Sequence, residues 1–198
     1  MPADSRLKII LAIIVTTIIA IFNIEPITQN PAYHHFADQR RILHIANFFN
    51  VLSNLPFVII GIMGIRLVAL RQATGGLAEL QTMYLVFFTG IFLTGFGSAY
   101  YHFQPDNQTL VWDRLPMTIA FMALFSAIIG EYISVQLAQK LFVPLLILGI
   151  TSVIYWHLTE LDGHGDLRAY LLVQFLPILL VPLILLLFES KLNNDKYI

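Results

Sequence analysis

Residues 95–117 read GFGSAYYHFQPDNQTLVWDRLPM, and they place three polar side chains in an otherwise apolar part of the chain. Ser98 and His102 are four residues apart, so on a helix they share one face, about one turn from each other. The PDN run at 105–107 is typical of a turn, and a second apolar run follows it. This hairpin predicts that Asp113 returns beside His102 at the mouth of two neighbouring helices, where a hydroxyl, an imidazole and a carboxylate converge.

The composition predicts an integral membrane protein. Of the 198 residues, 58% are hydrophobic and only 12% are charged, against roughly 45–50% and 25% in ordinary soluble domains. The formal net charge of -1 argues against nucleic acid as a partner. The chain contains no cysteine, which excludes disulfides, thiolate catalysis and cysteine-ligated zinc. A metal ion would therefore need His, Asp, Glu or backbone oxygen ligands.

The hydrophobic pattern predicts an all-α bundle of about six transmembrane helices in one domain covering residues 1–198. The predicted spans are approximately 7–24, 45–65, 80–103, 110–133, 141–159 and 169–188. The first run fits either a transmembrane helix or a signal peptide, and we expect a retained helix because no cleavage pattern follows it. Asn47, Asn50 and Asn54 recur at helical spacing, so we expect them on one face directed into the bundle, either as helix contacts or beside the site. Pro116 is expected in the first turns of the fourth span, where proline costs a helix least.

The distribution of basic residues predicts a cytoplasmic N-terminus. Seven of the Lys and Arg residues then lie in inside segments and four in outside segments, which favours that orientation. The inside residues are Arg6, Lys8, Arg66, Arg71, Lys140, Lys191 and Lys196, and the outside ones are Arg40, Arg41, Arg114 and Arg168. All six histidines fall at the outside face, together with seven of the twelve acidic residues. We therefore expect any chemistry at that face.

The polar residues of the hairpin suggest a metal hydrolase. Catalytic zinc typically takes three protein ligands and a water, whose pKa it lowers to about 7. A carboxylate such as Asp113 can take the proton of that water, while a hydroxyl such as Ser98 can hydrogen-bond the oxyanion. His102 would be the first ligand. The others would come from His34, His35, His44, His157 or His164, among which the sequence does not distinguish, and we take His164 and His157 as the candidates.

Each of these residues also has a structural interpretation. His102 can hydrogen-bond Asp113 as a clasp between two helices, and Asp113 can be an acidic residue that the helix macrodipole favours. His164 stands between two glycines, so it can be a flexible ligand or a polar loop residue. Asp166 and Arg168 can form a local pair or bind a lipid headgroup, and an exposed pair alone contributes only about 0–1 kcal/mol.

Three stretches of the chain resemble the alkaline ceramidase family, within the superfamily of membrane hydrolases that also includes the adiponectin and progestin receptors. SAYYH at 98–102 resembles the family's serine, three residues, histidine element. WDRLPM at 112–117 resembles its aspartate followed shortly by Leu-Pro-Met, and IANFFNVLSNLPF at 45–57 resembles its first-helix signature. The resemblance covers roughly residues 33–135.

The resemblance implies a zinc-dependent hydrolase that cleaves the amide bond of ceramide-like lipids. It makes His102 a zinc ligand, with Asp113 assisting the zinc-bound water and Ser98 supporting the oxyanion. The family has seven helices, and the last one carries two zinc ligands in a histidine, three residues, histidine element. The last span of this chain contains no histidine. This departure implies either substitute ligands from His157 or His164, or loss of the metal.

Calcium is not an expected cofactor, because the family's calcium site uses a carboxylate where this chain has Asn47, although Asp38 is nearby. Asp38, Asn50, Asp166 and Arg168 are candidate supporting residues of the site. The alternative to an enzyme is a non-catalytic membrane protein of the same fold that acts as a lipid-binding, receptor-like or structural component. In either case the expected partner is a membrane lipid, and the oligomeric state is left open.

Overall fold

The computed structural model describes residues 2–71 and 75–192, which are mainly helical and contain no β-strand. The helices are α1 (Ala3–Phe22), α2 (Phe48–Leu52), α3 (Leu55–Ala69), α4 (Gln81–Phe103), α5 (Asn107–Ile128), α6 (Val135–Leu161) and α7 (Arg168–Leu187). Six segments of the described chain are long and apolar enough to cross a membrane: Asp4–Phe22, Phe48–Ala69, Ala78–Phe103, Asn107–Ile133, Val135–Leu161 and Arg168–Leu187. The predicted all-α membrane bundle of about six spans is confirmed.

The fifth helix, α5, lies at the centre of the bundle. It packs against α4, α6 and α7, and more than half of its span is buried, compared with less than a third of every other span. By contrast, α1 packs mainly on α7 and exposes most of its apolar side chains, as a lipid-facing helix should. One buried cluster lies around Leu80 and Ile129, and another lies around Tyr101 and Trp156 at the other end of the helices.

The start of α5 differs from the prediction for a chemical reason. Asp106 caps the helix, because its carboxylate accepts the Thr109 N–H at 2.7 Å while the Thr109 hydroxyl accepts the Asp106 N–H. The helix therefore begins at Asn107 rather than near residue 110. Pro116 consequently lies in the helix interior and not in the first turns. It cannot donate the hydrogen bond that the carbonyl of Trp112 would otherwise accept.

The freed carbonyl of Trp112 faces Gly97 of α4. A Cβ placed on Gly97 would overlap this carbonyl oxygen, so only glycine allows the two backbones to come this close. The contact lies next to Ser98 on one helix and next to Asp113 on the other. Contact between the two backbones therefore sets the distance between the two helices that carry the predicted site.

The second span is not one helix from residue 45. Asn47 has a left-handed backbone with a φ of 50°, and the five-residue helix α2 is separated by a break from α3. The predicted asparagine face is therefore wrong at Asn47, whose side-chain amide donates to the His102 carbonyl at 2.8 Å. The side-chain amide of Asn54 donates to the Asn50 carbonyl, also at 2.8 Å. These asparagines hold a bent entrance to the span.

The fifth span also begins earlier than predicted. Ser134 caps α6 by accepting the Leu137 N–H at 3.3 Å, so α6 starts at Val135 instead of residue 141. Lys140, expected before the span, lies inside its first turns. Lys196, which contributed to the predicted orientation, lies outside the described residues.

Candidate active site

Three connections meet at one end of the bundle, which we call the site end: the linker 23–47, the α4–α5 turn and the α6–α7 loop. The backbone N–H of Leu167 donates to the Ile27 carbonyl at 2.9 Å, which joins the linker to the α6–α7 loop. All six histidines lie in these connections or in the adjoining helix turns. The predicted concentration of histidines at one face therefore agrees with the structure.

Ser98 and Asp113 are neighbours across the interface between α4 and α5. Their residues are only 8% and 9% exposed, and the hydroxyl of Ser98 faces the carboxylate of Asp113. A buried carboxylate needs polar partners, because its transfer from water to an apolar interior is costly. The hairpin thus brings the predicted hydroxyl and carboxylate together.

The ring of His102 lies in the last turn of α4, and one of its nitrogen atoms is free to bind a ligand. Its Nδ1 is buried and forms no hydrogen bond with any residue that the structure describes. The ring of Phe36 packs beside it, with centroids 4.7 Å apart, and the backbone carbonyl of His102 is held by Asn47. The structure thus positions the imidazole but shows no hydrogen bond from it to Asp113, so the predicted clasp is not formed between these described residues.

Arg114 is the site residue that the sequence reasoning missed. It is 6% exposed, and its guanidinium carbon lies 4.1 Å from the ring centroid of Trp156 and 4.6 Å from that of Tyr170. Its Nη2 donates to Gln29 Oε1 at 2.7 Å. The available signal was an arginine directly after Asp113 inside a membrane-spanning run, where an ionisable residue indicates a functional site.

The linker covers this end of the bundle. His34 bridges two helices, with Nδ1 3.0 Å from the hydroxyl of Tyr101 and Nε2 2.9 Å from Asn107 Oδ1. The backbone N–H of Gln29 donates to the carboxylate of Glu160, which also accepts the Trp156 indole N–H at 3.2 Å. The linker therefore closes the site with contacts to α4, α5 and α6.

The two substitute zinc ligands do not join His102 in one cluster. His157 lies on α6 with its Nδ1 buried and without a hydrogen bond among the described residues. His164 lies beyond the end of α6, is exposed, and its Nδ1 contacts the Asp162 carbonyl at 2.9 Å. Within residues 2–71 and 75–192, no three His, Asp or Glu side chains are grouped so that they could hold a metal ion. The donors present therefore do not fit the three-ligand zinc site that the resemblance implies.

Asp166 and Arg168 attach the linker to α7. Arg168 donates to the Asp166 carboxylate from Nη2 at 2.8 Å and from Nε at 2.9 Å, and it donates from Nη1 to the Ile24 carbonyl at 2.7 Å. Tyr155 also donates to Asp166 at 2.9 Å. The hydrogen bonds from Arg168 lower the pKa of Asp166 to about 2, more than burial raises it. The geometry assigns this pair a role in fold stability.

Replacing Asp166 with asparagine is expected to reduce the free energy of unfolding by roughly 1.5–3 kcal/mol, because charged hydrogen bonds are lost. The folded-state pKa lies below the ordinary value of 3.8. The stabilisation is therefore complete above pH 3.8 and disappears as the pH falls through about 2. Thermal unfolding from about pH 6 to pH 2 measures this dependence. Asp162→Asn, an exposed change in the same loop, is the control, and an unfolding difference independent of pH contradicts the prediction.

Asp38 and Asn50 order the turn that leads into α2. The side-chain amide of Asn50 donates to the Asp38 carbonyl at 2.9 Å, and the carboxylate of Asp38 pairs with Arg40. The hydrogen bond from Arg40 holds the pKa of Asp38 below its ordinary value. These two candidates therefore support the backbone near Asn47, while Ser98 and Asp113 lie deeper between the helices.

Comparisons with known proteins identify the family of the chain. The model of the Ceramidase family matches residues 40–195 of the chain, a range that contains Ser98, His102, Asp113 and most of the helices. The search of curated proteins and the search of solved structures each gave no match. The matched range covers well over half of the 198 residues. The chain therefore belongs to the Ceramidase family.

Proposed function

We propose that this integral membrane protein hydrolyses the amide bond of ceramide-like lipids at the site end of the bundle. The observation that carries the proposal is the buried pair of Ser98 and Asp113, with the free imidazole nitrogen of His102 one turn away on the same helix. Membership of the Ceramidase family supports a ceramide-related hydrolase. The amide of a ceramide lies near the headgroup level, which matches a site at the ends of the helices.

The residues present can support hydrolysis in one sequence of proton transfers. Water adds to the amide carbonyl carbon, the carbon–nitrogen bond breaks, and a fatty acid and a sphingoid amine are released. Asp113 accepts the proton of the attacking water, and Ser98 donates a hydrogen bond to the developing oxyanion. His102 in its protonated form delivers a proton to the leaving nitrogen, and the proton held by Asp113 is passed back to His102 through water, which restores both groups. The apolar surroundings strengthen these polar interactions.

Turnover by the purified protein tests the proposal. Wild type in detergent is incubated with N-hexanoyl-sphingosine, and released hexanoic acid and sphingosine are measured by mass spectrometry. His102→Ala is the matched variant and should lose most of the activity, because it removes the proton donor. Absence of turnover from folded wild type contradicts the proposal. Binding of the lipid without turnover supports the non-catalytic alternative, which the incomplete metal-ligand set favours.

Zinc dependence remains a prediction of the family resemblance, and no step above depends on the metal. Elemental analysis of purified wild type, His102→Ala and His164→Ala tests it directly. About one zinc per chain that is lost in both variants would support a metal site completed from the α6–α7 loop. A folded wild type without zinc would leave the hydrolysis to the protein side chains alone.

We propose a cytoplasmic N-terminus, with the site end at the opposite face, on the basis of the Lys and Arg distribution. The cysteine-free chain allows a direct measurement with single cysteines. Asp162→Cys at the site end should react in intact cells with a maleimide that does not cross membranes, while Arg71→Cys, between the second and third spans, should react only after permeabilisation. Both positions are exposed, so they form a matched pair. The reverse labelling pattern would contradict the proposed orientation.

A further inference from the structure

Arg114 is a buried cation that has no ion-pair partner among the described residues. It is 6% exposed, and the ion pairs that the described chain forms are Arg40 with Asp38 and Arg168 with Asp166. A charge removed from water normally needs a paired charge or a full set of hydrogen bonds. The neighbouring carboxylate of Asp113 attracts the guanidinium electrostatically but forms no ion pair with it. The burial of this guanidinium therefore needs further stabilisation.

Aromatic rings and one amide stabilise the guanidinium from the protein side. Trp156 and Tyr170 present their rings at 4.1 and 4.6 Å, and the ring of Tyr33 in the linker lies at 6.0 Å. Gln29 accepts the Nη2 hydrogen bond. Such rings attract a cation through their negative faces. The four residues come from the linker, α6 and α7, so the cage joins the parts of the chain that close the site end.

One end of the guanidinium is left without a partner. The Nη1 atom is buried and makes no hydrogen bond with any described residue. Buried polar groups are nearly always hydrogen-bonded, so an unused N–H of a fixed cation indicates a ligand atom. At the same end of the bundle, the Nδ1 atom of His102 is also buried and has no hydrogen bond among the described residues. The site thus offers an unused positively charged donor and an unused imidazole near a carboxylate.

An apolar cavity of about 240 Å³ lies between α1, α5, α6 and α7, and none of the cage residues is part of its lining. Arg114 and Met122 lie eight residues apart on α5, or two turns, and Met122 lines this cavity. On α7, Val173 follows Tyr170 by about one turn and lines it as well. The cavity therefore begins about 12 Å along α5 from Arg114, a distance that a long acyl chain can span.

We propose that Arg114 supplies the fixed positive charge of this site in place of a metal ion, and that its Nη1–H binds and polarises the amide carbonyl oxygen of the lipid. This inference rests on the proposed amide hydrolysis and assigns a new residue to it. The guanidinium is permanently charged and planar. It is already held by the aromatic cage, so it stabilises the negative charge that develops on the oxygen without moving during the reaction.

Isotope-edited infrared spectroscopy tests this contact. N-hexanoyl-sphingosine with a ¹³C-labelled amide carbonyl is added to full-length Asp113→Asn protein in detergent, a variant expected to slow turnover at least about 100-fold while keeping Arg114. The ¹³C carbonyl band should move to lower wavenumber on binding, compared with the lipid in micelles alone. The double variant that carries both Asp113→Asn and Arg114→Lys should lack this shift and bind the lipid roughly tenfold or more weakly. Arg66 is an exposed arginine at the other end of the bundle. The double variant that carries Asp113→Asn and Arg66→Gln should therefore keep both the carbonyl shift and the lipid affinity of Asp113→Asn.

The outcomes separate this inference from the proposed function. A bound lipid whose carbonyl band stays at its micelle position overturns the inference, even if Arg114→Lys does not fold. Zinc bound by wild type and lost in His102→Ala also overturns it, while leaving the hydrolase intact. Hydrolysis by wild type with an unshifted band overturns only the role of Arg114. Absence of both binding and hydrolysis overturns the inference and the proposed function together.

Discussion

Replacement of Asp113 with asparagine is expected to lower the rate of ceramide hydrolysis at least about 100-fold. The carboxylate is the group that accepts the proton of water in the proposed reaction, and an amide of the same size cannot accept it. The residue is 9% exposed and faces Ser98, and an amide can still contact a hydroxyl. We therefore expect the fold to survive. The measurement is the initial rate of hydrolysis of N-hexanoyl-sphingosine, with thermal unfolding recorded on the same preparations.

Asp162→Asn is the matched control for this change. It removes the same charge from an exposed position of the α6–α7 loop at the site end, so it should keep wild-type activity. Equal losses in both variants would point to a general effect of charge. Wild-type turnover by a folded Asp113→Asn protein would remove Asp113 from the proposed mechanism.

Replacement of Gly97 with alanine is expected to reduce the free energy of unfolding by about 1–3 kcal/mol and to reduce turnover as well. The added methyl group would overlap the carbonyl oxygen of Trp112, so α4 and α5 must separate or rotate. Such a movement displaces Ser98 from Asp113, and a displacement of about 1 Å at a reacting group can cost on the order of 100-fold in rate. Thermal unfolding and hydrolysis rates of the purified variant measure the two effects.

Phe96→Ala is a suitable control because it changes the preceding residue of α4 without touching α5. The side chain of Phe96 is 56% exposed on the outer surface of the bundle, so its loss should leave turnover near that of wild type. If Gly97→Ala unfolds and turns over like wild type, the backbone contact between α4 and α5 does not control the site.

The number of helices could be predicted because it follows from local chemistry. An uncharged apolar run of sufficient length must form backbone hydrogen bonds within itself in a membrane, so each run becomes a helix. The helix starts were less accurate. Asp106 and Ser134 both extend a helix towards its N-terminus by capping it, whereas hydrophobicity alone places both helix starts later in the chain. Asn47 was misassigned because its left-handed backbone depends on the packing of the linker against α4.

The candidate site could be predicted where its residues lie on one hairpin. Ser98 and Asp113 meet because the short turn between Phe103 and Asn107 folds α5 back against α4. The cage around Arg114 could not be predicted in this way. Its members Gln29 and Trp156 are far from Arg114 in the sequence, and no local pattern indicates which of many polar linker residues will be buried.

The sequence by itself determined that this is a helical membrane protein, that its polar residues collect at one end, and that Ser98, His102 and Asp113 share a hairpin. These properties depend on composition, helical periodicity and turn residues, which act over a few neighbours. Only the tertiary structure decided that the histidines of the α6–α7 region do not gather around His102, and that Arg114 is buried at the site end. The physical reason is that the placement of the histidines and the burial of Arg114 both depend on contacts between segments that are distant in the sequence. Burying the charge of Arg114 is costly, so it requires the aromatic rings and the amide that surround the guanidinium.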